Sequence, residues 1–357
     1  MQNKIITIHK WFHYSMFLVA ISLLSLYFTN IHFILCQEAK RASLSLLLDN
    51  SADVTAQYRV LIPWIVNFLI KLKLPFLASP VRLFKTIEFL STFFLFVAFR
   101  SYISLFIKST LLSSLFSLTL FIILPYQYIF YSWSLGAIYY PYDIPSVLFF
   151  TLGLILIYKK NWPIYFPVFI IATFNRETTI FLTFIYFVTT IKKNNMIPVL
   201  FHCISQLIIW IFIKKYLAVL YAGNPGPGFF MNFFFVNWAA ITNPVNAVRV
   251  ASSFGFIWIM VLYDFKLITD EFVKRSLIVV IPFLLGMFIV GNVIELRIYG
   301  ELIPVILSAF LLIVNNLHHM ELEQSHIIGS RQRKKGLILM PGLGTSKDEN
   351  EAVAIKK

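Results

Sequence analysis

Residues Trp162 to Ile191 read WPIYFPVFIIATFNRETTIFLTFIYFVTTI, an apolar run of about 30 residues with Asn175-Arg176-Glu177 at its middle. A helix rises about 1.5 Å per residue and the hydrocarbon core of a bilayer is about 30 Å thick, so one crossing needs about 20 apolar residues. This run is too long for one comfortable span and short for two. A single crossing would leave Arg176 and Glu177 near the bilayer centre, at about 2.5–3.5 kcal/mol per charge. A hairpin of two short helices would bring the triplet to one surface instead.

Charge bias decides between them, because basic residues collect on the cytoplasmic side of a membrane. With Lys4 and Lys10 cytoplasmic and a hairpin at 162–191, that side gathers Arg100, Lys108, Lys159, Lys160, Lys192, Lys193, Lys214 or Lys215 near a helix foot, Lys266, Lys274, Arg275 and the basic tail. A single crossing would export the later pairs and a tail containing Arg331, Arg333, Lys334 and Lys335. The hairpin is therefore expected, with both termini cytoplasmic. Lys71, Lys73, Arg82 and Lys85 stay on the outer side as exceptions.

The composition agrees with a lipid-embedded chain. Of 357 residues, 59% are hydrophobic and 13% charged, against about 25% charged in soluble domains, and the mean hydropathy is +0.79. Lipid offers the backbone no hydrogen bonds, so spanning segments are helices or closed barrels, and these apolar runs lack the alternation of barrel strands. The expected fold is an all-α, polytopic integral membrane helical bundle of about ten membrane helices. Eight spans are read at 11–36, 84–106, 110–131, 143–158, 196–220, 253–268, 275–292 and 301–316, and the 162–191 hairpin supplies two more helices. Segment 58–79, interrupted by Arg59, Pro63, Asn67, Lys71 and Lys73, reads as an interfacial helix in the first outer loop. Residues 1–316 form the membrane domain, and the Gly-, Lys-, Glu- and Ser-rich stretch 317–357 reads as a disordered basic cytoplasmic tail.

The net charge of +14 sits as basic pairs at the ends of apolar runs, which encodes membrane orientation and not a nucleic-acid surface. Cys36 and Cys203 lie far apart and fit neither a disulfide framework nor a metal knuckle. The first run is too long for a signal-peptide core and ends without a small-x-small cleavage pattern, so it is expected to remain as an anchor. Phe33-Ile34-Leu35 before Cys36 lacks the small residue that a lipoprotein site requires.

In this topology the remaining ionisable residues converge on the outer face. Asp49, Asp53 and Arg59 follow the first span, Asp143 opens another after Tyr139-Tyr140-Pro141-Tyr142, and Arg176 and Glu177 form the hairpin tip. Glu295, Arg297 and Glu301 flank the last outer turn, and a Gly-, Pro- and aromatic-rich loop from Tyr221 to about Ser252 lies on the same side. Polar groups kept in a membrane protein's body are functional candidates. Each has a structural alternative: Arg297 and Glu301 are spaced to pair on one helix, Arg176 can neutralise Glu177, and Asp143 can cap a helix start. The convergence carries the signal.

Arginines clamp phosphate bidentately, and a carboxylate takes the proton of an incoming hydroxyl. A sugar donor on a polyprenyl phosphate needs both: its phosphate against Arg59, Arg176 or Arg297, and its sugar in an outer cavity roofed by the Tyr221–Ser252 loop. Asp49 and Asp53 are the candidate catalytic acids, and Asp143, Glu177, Glu295 and Glu301 complete the substrate-binding set. The histidines are scattered, so no metal cluster is expected; a divalent ion on Asp49 or Asp53 is compatible with the residues but has no further support.

Arg59-Val60-Leu61-Ile62-Pro63, Tyr142-Asp143-Ile144-Pro145, Asn175-Arg176-Glu177-Thr178 and Glu295-Leu296-Arg297-Ile298-Tyr299-Gly300-Glu301-Leu302-Ile303-Pro304 resemble the patterns of a family of bacterial multi-spanning membrane proteins, for the most part uncharacterised. That family in turn resembles the GT-C class of membrane glycosyltransferases. The resemblance covers the chain to about residue 316. It implies interfacial helices and a catalytic base in the first outer loop, on Asp49 or Asp53, membrane lipid and a polyprenyl-phosphate-linked sugar as partners, and a bacterial inner or plasma membrane. That class often has an acid close to the end of the first span, where this chain has Glu38.

Two other functions compete. A transporter or flippase of a lipid-linked or small anionic substrate would explain a charged break in 162–191, although no inverted halves are visible. A non-catalytic membrane protein would leave the outer charges as plain ion pairs.

Overall fold

The computed structural model describes residues 2–73, 79–130, 137–192, 196–227 and 232–338, with side chains from residue 11 to residue 323. The chain divides into Met1–Ile313 and Val314–Lys357. Helices dominate: α1 (Gln2–Leu35), α2 (Leu44–Leu48), α3 (Val54–Gln57), α4 (Leu61–Lys71), α5 (Pro80–Ile103), α6 (Thr110–Leu118), α7 (Leu120–Pro125), α8 (Asp143–Lys159), α9 (Trp162–Asn175), α10 (Ile180–Thr190), α11 (Met196–Leu220), α12 (Phe234–Ile241), α13 (Pro244–Ala251), α14 (Ile257–Tyr263), α15 (Glu271–Ser276), α16 (Val280–Val290) and α17 (Ile303–Ile338). Two three-residue strands, β1 (Cys36–Glu38) and β2 (Ala137–Tyr139), pair in parallel with Cys36 opposite Ala137.

Among the described residues, five helical stretches are long and apolar enough to cross a membrane: Trp11–Leu35, Thr110–Phe130, Met196–Leu220, Glu271–Val290 and Leu296–Glu323. A sixth is added if Pro244–Ala251 and Ser253–Tyr263, bent by 67°, count as one span. The chain is thus an all-α integral membrane protein with five or six such helices, against the expected ten. The difference has physical causes. The expected span 84–106 falls on α5, which carries Arg82, Lys85, Glu88 and Arg100. The expected span 143–158 falls on α8, whose 17 residues reach only about 26 Å. α9 and α10 are shorter still. The expected span 253–268 is interrupted, because Phe254, Gly255 and Phe256 adopt positive φ between α13 and α14.

The last apolar helix is 83% buried over its most hydrophobic window, whereas α11 is 17% buried. The first therefore forms the packed interior and α11 an outer wall. α1 packs on α5, α5 on α8 and α8 on α9, while α11 packs on both α9 and α10. The chain turns back between α9 and α10: Trp162, at the start of α9, lies 4.9 Å from the Tyr186 ring of α10, and Tyr165 and Thr183 both donate to Gln206 of α11 at 2.8 Å. Residues 58–79, expected as one interfacial helix, contain α4, which buries Ile62, Pro63 and Val66; residues 74–78 of that segment lie outside the described residues.

The unit has two chemically distinct ends. At one, Arg100 lies over Tyr14 and Phe17 at 5.3 and 5.4 Å, and Tyr158 packs on Phe106 and Phe272. At the other, the strand pair, the start of α8, the α9–α10 break and the 3-10 turn Leu296–Leu302 come together around a cavity. The second unit is helical from Val314 through Ile338, where the sequence from 317 onward reads as disordered. The remainder of that expected tail lies outside the described residues.

Candidate functional site

Arg176 ends α9 in an extended conformation, φ −160° and ψ 134°, and extended neighbours point their side chains apart. Arg176 and Glu177 therefore do not neutralise one another as a local pair. Arg176 Nη1 reaches Asp143 Oδ1 at 3.5 Å and Glu301 Oε1 at 3.2 Å. Glu177 accepts from Arg59 Nη2 at 3.3 Å and is further fixed by Trp210, whose Nε1 donates to its backbone carbonyl at 2.8 Å.

Asp143 is fully buried at the first turn of α8, where Tyr142 and not Asp143 holds the N-cap position. Its carboxylate is divided between Arg176 and Arg297, whose Nη1 approaches Oδ2 at 3.3 Å. Arg297 also donates to Glu295, and Glu301 accepts from the Thr178 hydroxyl at 2.6 Å. The capping reading of Asp143 and the pairing of Arg297 with Glu301 thus give way to links between segments far apart in sequence. A 3-10 turn, with about 3 residues per turn, does not bring positions four apart onto one face as an α-helix does.

Two aromatic rings order the arginines. Arg59 lies over Tyr142 at 4.7 Å, Tyr142 packs on Tyr140 at 5.3 Å, and Arg297 lies over Tyr140 at 4.0 Å. The contacts run in series from guanidinium to ring to ring to guanidinium, and Arg59 Nη1 donates to the Tyr142 hydroxyl at 3.0 Å. Cation–π contact fixes the plane of each fork, and the fork edges carry its hydrogen bonds to Glu177, Tyr142, Asp143 and Glu295.

The cavity at this end encloses about 570 Å³. Of the candidate residues, Asp53, Arg59, Arg176, Glu177, Glu295 and Arg297 line it. Asp143 and Glu301 stand behind the arginines as buried counter-charges, 0% and 1% exposed. Asp49 lies apart from the other candidates. It caps the C-terminus of α2 in an exposed position, and the cavity wall does not include it. The turn Asn50–Ala52 separates it from Asp53, and Gln57 locks that turn through Leu47 and Asn50. Asp53 opens α3 without making a cap bond and faces Arg41 at 3.8 Å.

Burial works against the charge on Glu177, but the Arg59 guanidinium and the Lys214 ammonium outweigh it and hold the carboxyl well below the usual carboxylate range. Arg59 in turn is held firmly protonated by Glu177 and the Tyr142 oxygen despite its burial.

Sequence reading missed Lys214, which it counted near a cytoplasmic helix foot. Lys214 is buried, lies over the Tyr58 ring at 4.3 Å and lines the cavity. The signal was present: Lys214 is 22 positions beyond Lys192, about 33 Å along a helix, and so belongs at the opposite end. The Tyr221–Ser252 segment is tied down on both flanks rather than forming a free roof. Asn224 donates to the carbonyls of Asn50 and Ala52, Pro225 accepts from the Val54 amide, and Asn237 donates to Phe288 and Gly291. Residues 228–231 between these anchors lie outside the described residues.

One flank of the cavity is apolar: Ile180 and Phe181 of α10 face Met287, Ile289 and Val290 of α16. The arrangement can hold an anion on its charged wall and a hydrocarbon on the other. Among the described residues, no three His, Cys, Asp or Glu side chains are grouped to hold a metal ion. Comparisons with protein-family models, with curated proteins and with solved structures gave no match to this chain.

Proposed function

We propose that the chain is a membrane glycosyltransferase-like protein that moves a sugar from a polyprenyl-phosphate donor to an acceptor on the outer face. The observation that carries this reading is the two-sided cavity, in which Arg59, Arg176, Arg297 and Lys214 share one space with Asp53 and with the apolar flank of Phe181 and Met287. In this reading all ten helical segments lie in the membrane, α4 lies along the outer interface, both termini are cytoplasmic, and the membrane is a bacterial inner or plasma membrane.

The donor phosphate meets the guanidinium edges, its tail follows the apolar flank, and the acceptor hydroxyl approaches Asp53. Asp53 takes the hydroxyl proton as the acceptor oxygen bonds to the sugar's anomeric carbon. The bond from that carbon to the phosphate oxygen breaks, and polyprenyl phosphate leaves with its charge met by the arginines. Labelled polyprenyl-phosphate sugars supplied to membranes containing the chain test this. Transfer to a product, lost in Asp53→Asn with normal insertion, supports it; no transfer by the unaltered chain defeats it.

The break between α9 and α10 favours a second reading, a transporter or flippase of a lipid-linked or small anionic substrate, because irregular backbone carrying Arg176 and Glu177 is how transporters build binding sites. Uptake into liposomes without a covalent product would select it.

A further inference from the structure

Lys71, Lys73, Arg82 and Lys85 stand toward the cavity end of the molecule, the end read as the outer one, where basic residues are uncommon. Lys85 lies over Phe33 at 5.1 Å, and Phe33 packs on Tyr139 of β2 at 4.3 Å. Between residues 60 and 87 the chain has these four cations and no Asp or Glu. The next acid, Glu88, is buried and engaged by His32 of α1 at 2.5 Å. Among the described residues none of the four cations has an ion-pair partner.

Packing gathers the four on one surface. Ile62 and Val66 of α4 meet Leu83 and Phe84 of α5 in one buried cluster, and Ile70 and Ile87 pack against it. Lys71 and Lys73 at the end of α4 and Arg82 and Lys85 at the start of α5 therefore border the same cluster. Asn67 holds α4 in place by donating to the Leu48 carbonyl at 2.9 Å. Lys71, Lys73 and Arg82 are exposed and Lys85 is half-buried. Helix electrostatics accounts for only part of this: Lys71 meets the negative pole of α4, but Arg82 sits in the first turn of α5, which has no acid and where the pole is positive. The surface is apolar between its charges, with Phe68, Leu72 and Val81 at 62%, 47% and 47% exposure. A soluble anion would leave those side chains bare. A phospholipid offers a phosphate to the cations and an acyl boundary to the apolar groups.

We propose that the end of α4 and the start of α5 form a binding surface for an anionic phospholipid, whose headgroup meets Lys71, Lys73, Arg82 and Lys85 and whose acyl chains meet Phe68, Leu72 and Val81. The lipid supplies the counter-charge that the chain itself lacks on this face. The inference takes from the reading above only that α4 lies along the membrane interface, and it holds whether or not the chain transfers a sugar.

Phosphatidylglycerol and phosphatidylcholine, each carrying a photoactivatable diazirine close to the headgroup, test it when added in turn to phosphatidylcholine nanodiscs holding the full chain, with the labelled peptides mapped after irradiation. Phosphatidylglycerol is expected to label peptides of α4 and the start of α5 about fivefold more than phosphatidylcholine does. High salt should reduce that preference. The combined variant Lys71→Gln, Lys73→Gln and Arg82→Gln should abolish it, and Lys159→Gln with Lys160→Gln, at the other end of α8, should leave it unchanged. Equal labelling by the two probes, or a preference that survives the triple substitution, overturns the proposal. If the triple variant does not insert, the unaltered chain decides, and a preference that salt leaves intact overturns it. Displacement of the phosphatidylglycerol probe by inorganic phosphate would assign the surface to a free anion and overturn it as well.

Discussion

Asp143 and Arg297 are 154 positions apart in sequence and 3.3 Å apart in space, and the same carboxylate holds Arg176 on its other oxygen. Two arginines from separate segments thus converge on one buried acid, which fixes both forks at the edge of the cavity. Removing one partner of such a pair leaves uncompensated charge in a low-dielectric setting.

Asp143→Ala is therefore expected to destabilise the chain by about 3–5 kcal/mol, more than Asp49→Ala, which touches no cavity group. Thermal unfolding in detergent, followed by retained monodisperse protein, compares the two. Equal midpoints would contradict the buried-hub reading.

Gly300 has no room for a side chain. A methyl group there would overlap the Tyr128 hydroxyl and press on Val147. Gly300→Ala should destabilise by about 1–3 kcal/mol, the range for overpacked cores, and adding Tyr128→Phe should restore part of the loss. Failure of the double variant to recover any stability would place the strain elsewhere.

The Glu177 carboxyl is held below its ordinary value by Arg59 and Lys214, so its folded pKa lies under its unfolded one, about 4.3. Its contribution to stability is complete above that value and is lost as the pH falls below it. The stability difference between wild type and Glu177→Gln should be constant near neutral pH and shrink under acid conditions. Because 31% of the side chain is exposed to the cavity, salt should reduce the difference as well. A difference that widens with acidification would reverse the assignment.

Topology gives a further check. In a background of Cys36→Ser and Cys203→Ser, single cysteines at positions 53, 176 and 292 should react with a membrane-impermeant maleimide from the same side, and cysteines at 108 and 192 from the other. Position 176 is buried, so its reaction is expected to be slower than at 53 without changing side. Opposite sidedness of 53 and 292 would dismantle the cavity.

Lys214→Met should weaken binding of an anionic cavity probe such as inorganic pyrophosphate by about tenfold, the loss of one partly buried charge contact of about 1.4 kcal/mol, while Lys215→Met should leave it unchanged. Equilibrium dialysis at low ionic strength measures both.

What could be read from the chain alone follows from solvent. Long apolar runs have one stable fate in lipid, so the helical class, and the grouping of Asp53, Arg59, Arg176, Glu177, Glu295 and Arg297 at one end of the helices, were legible from hydropathy and charge bias. Other features were not. Hydropathy cannot distinguish a helix facing lipid, such as α11, from one packed among helices, such as α8, because both interiors are apolar. Nor does it predict which acid faces which arginine. Local spacing offered pairing of Arg297 with Glu301 and of Arg176 with Glu177 as structural alternatives, but the extended residue at 176 and the 3-10 turn at 296–302 direct Arg176 and Arg297 to Asp143 instead. The exposure of Asp49, the place of Lys214 in the cavity and the His32–Glu88 pair were decided only by tertiary structure. Each depends on which helix faces meet, and that is settled by packing across the whole chain, not by any local stretch of it.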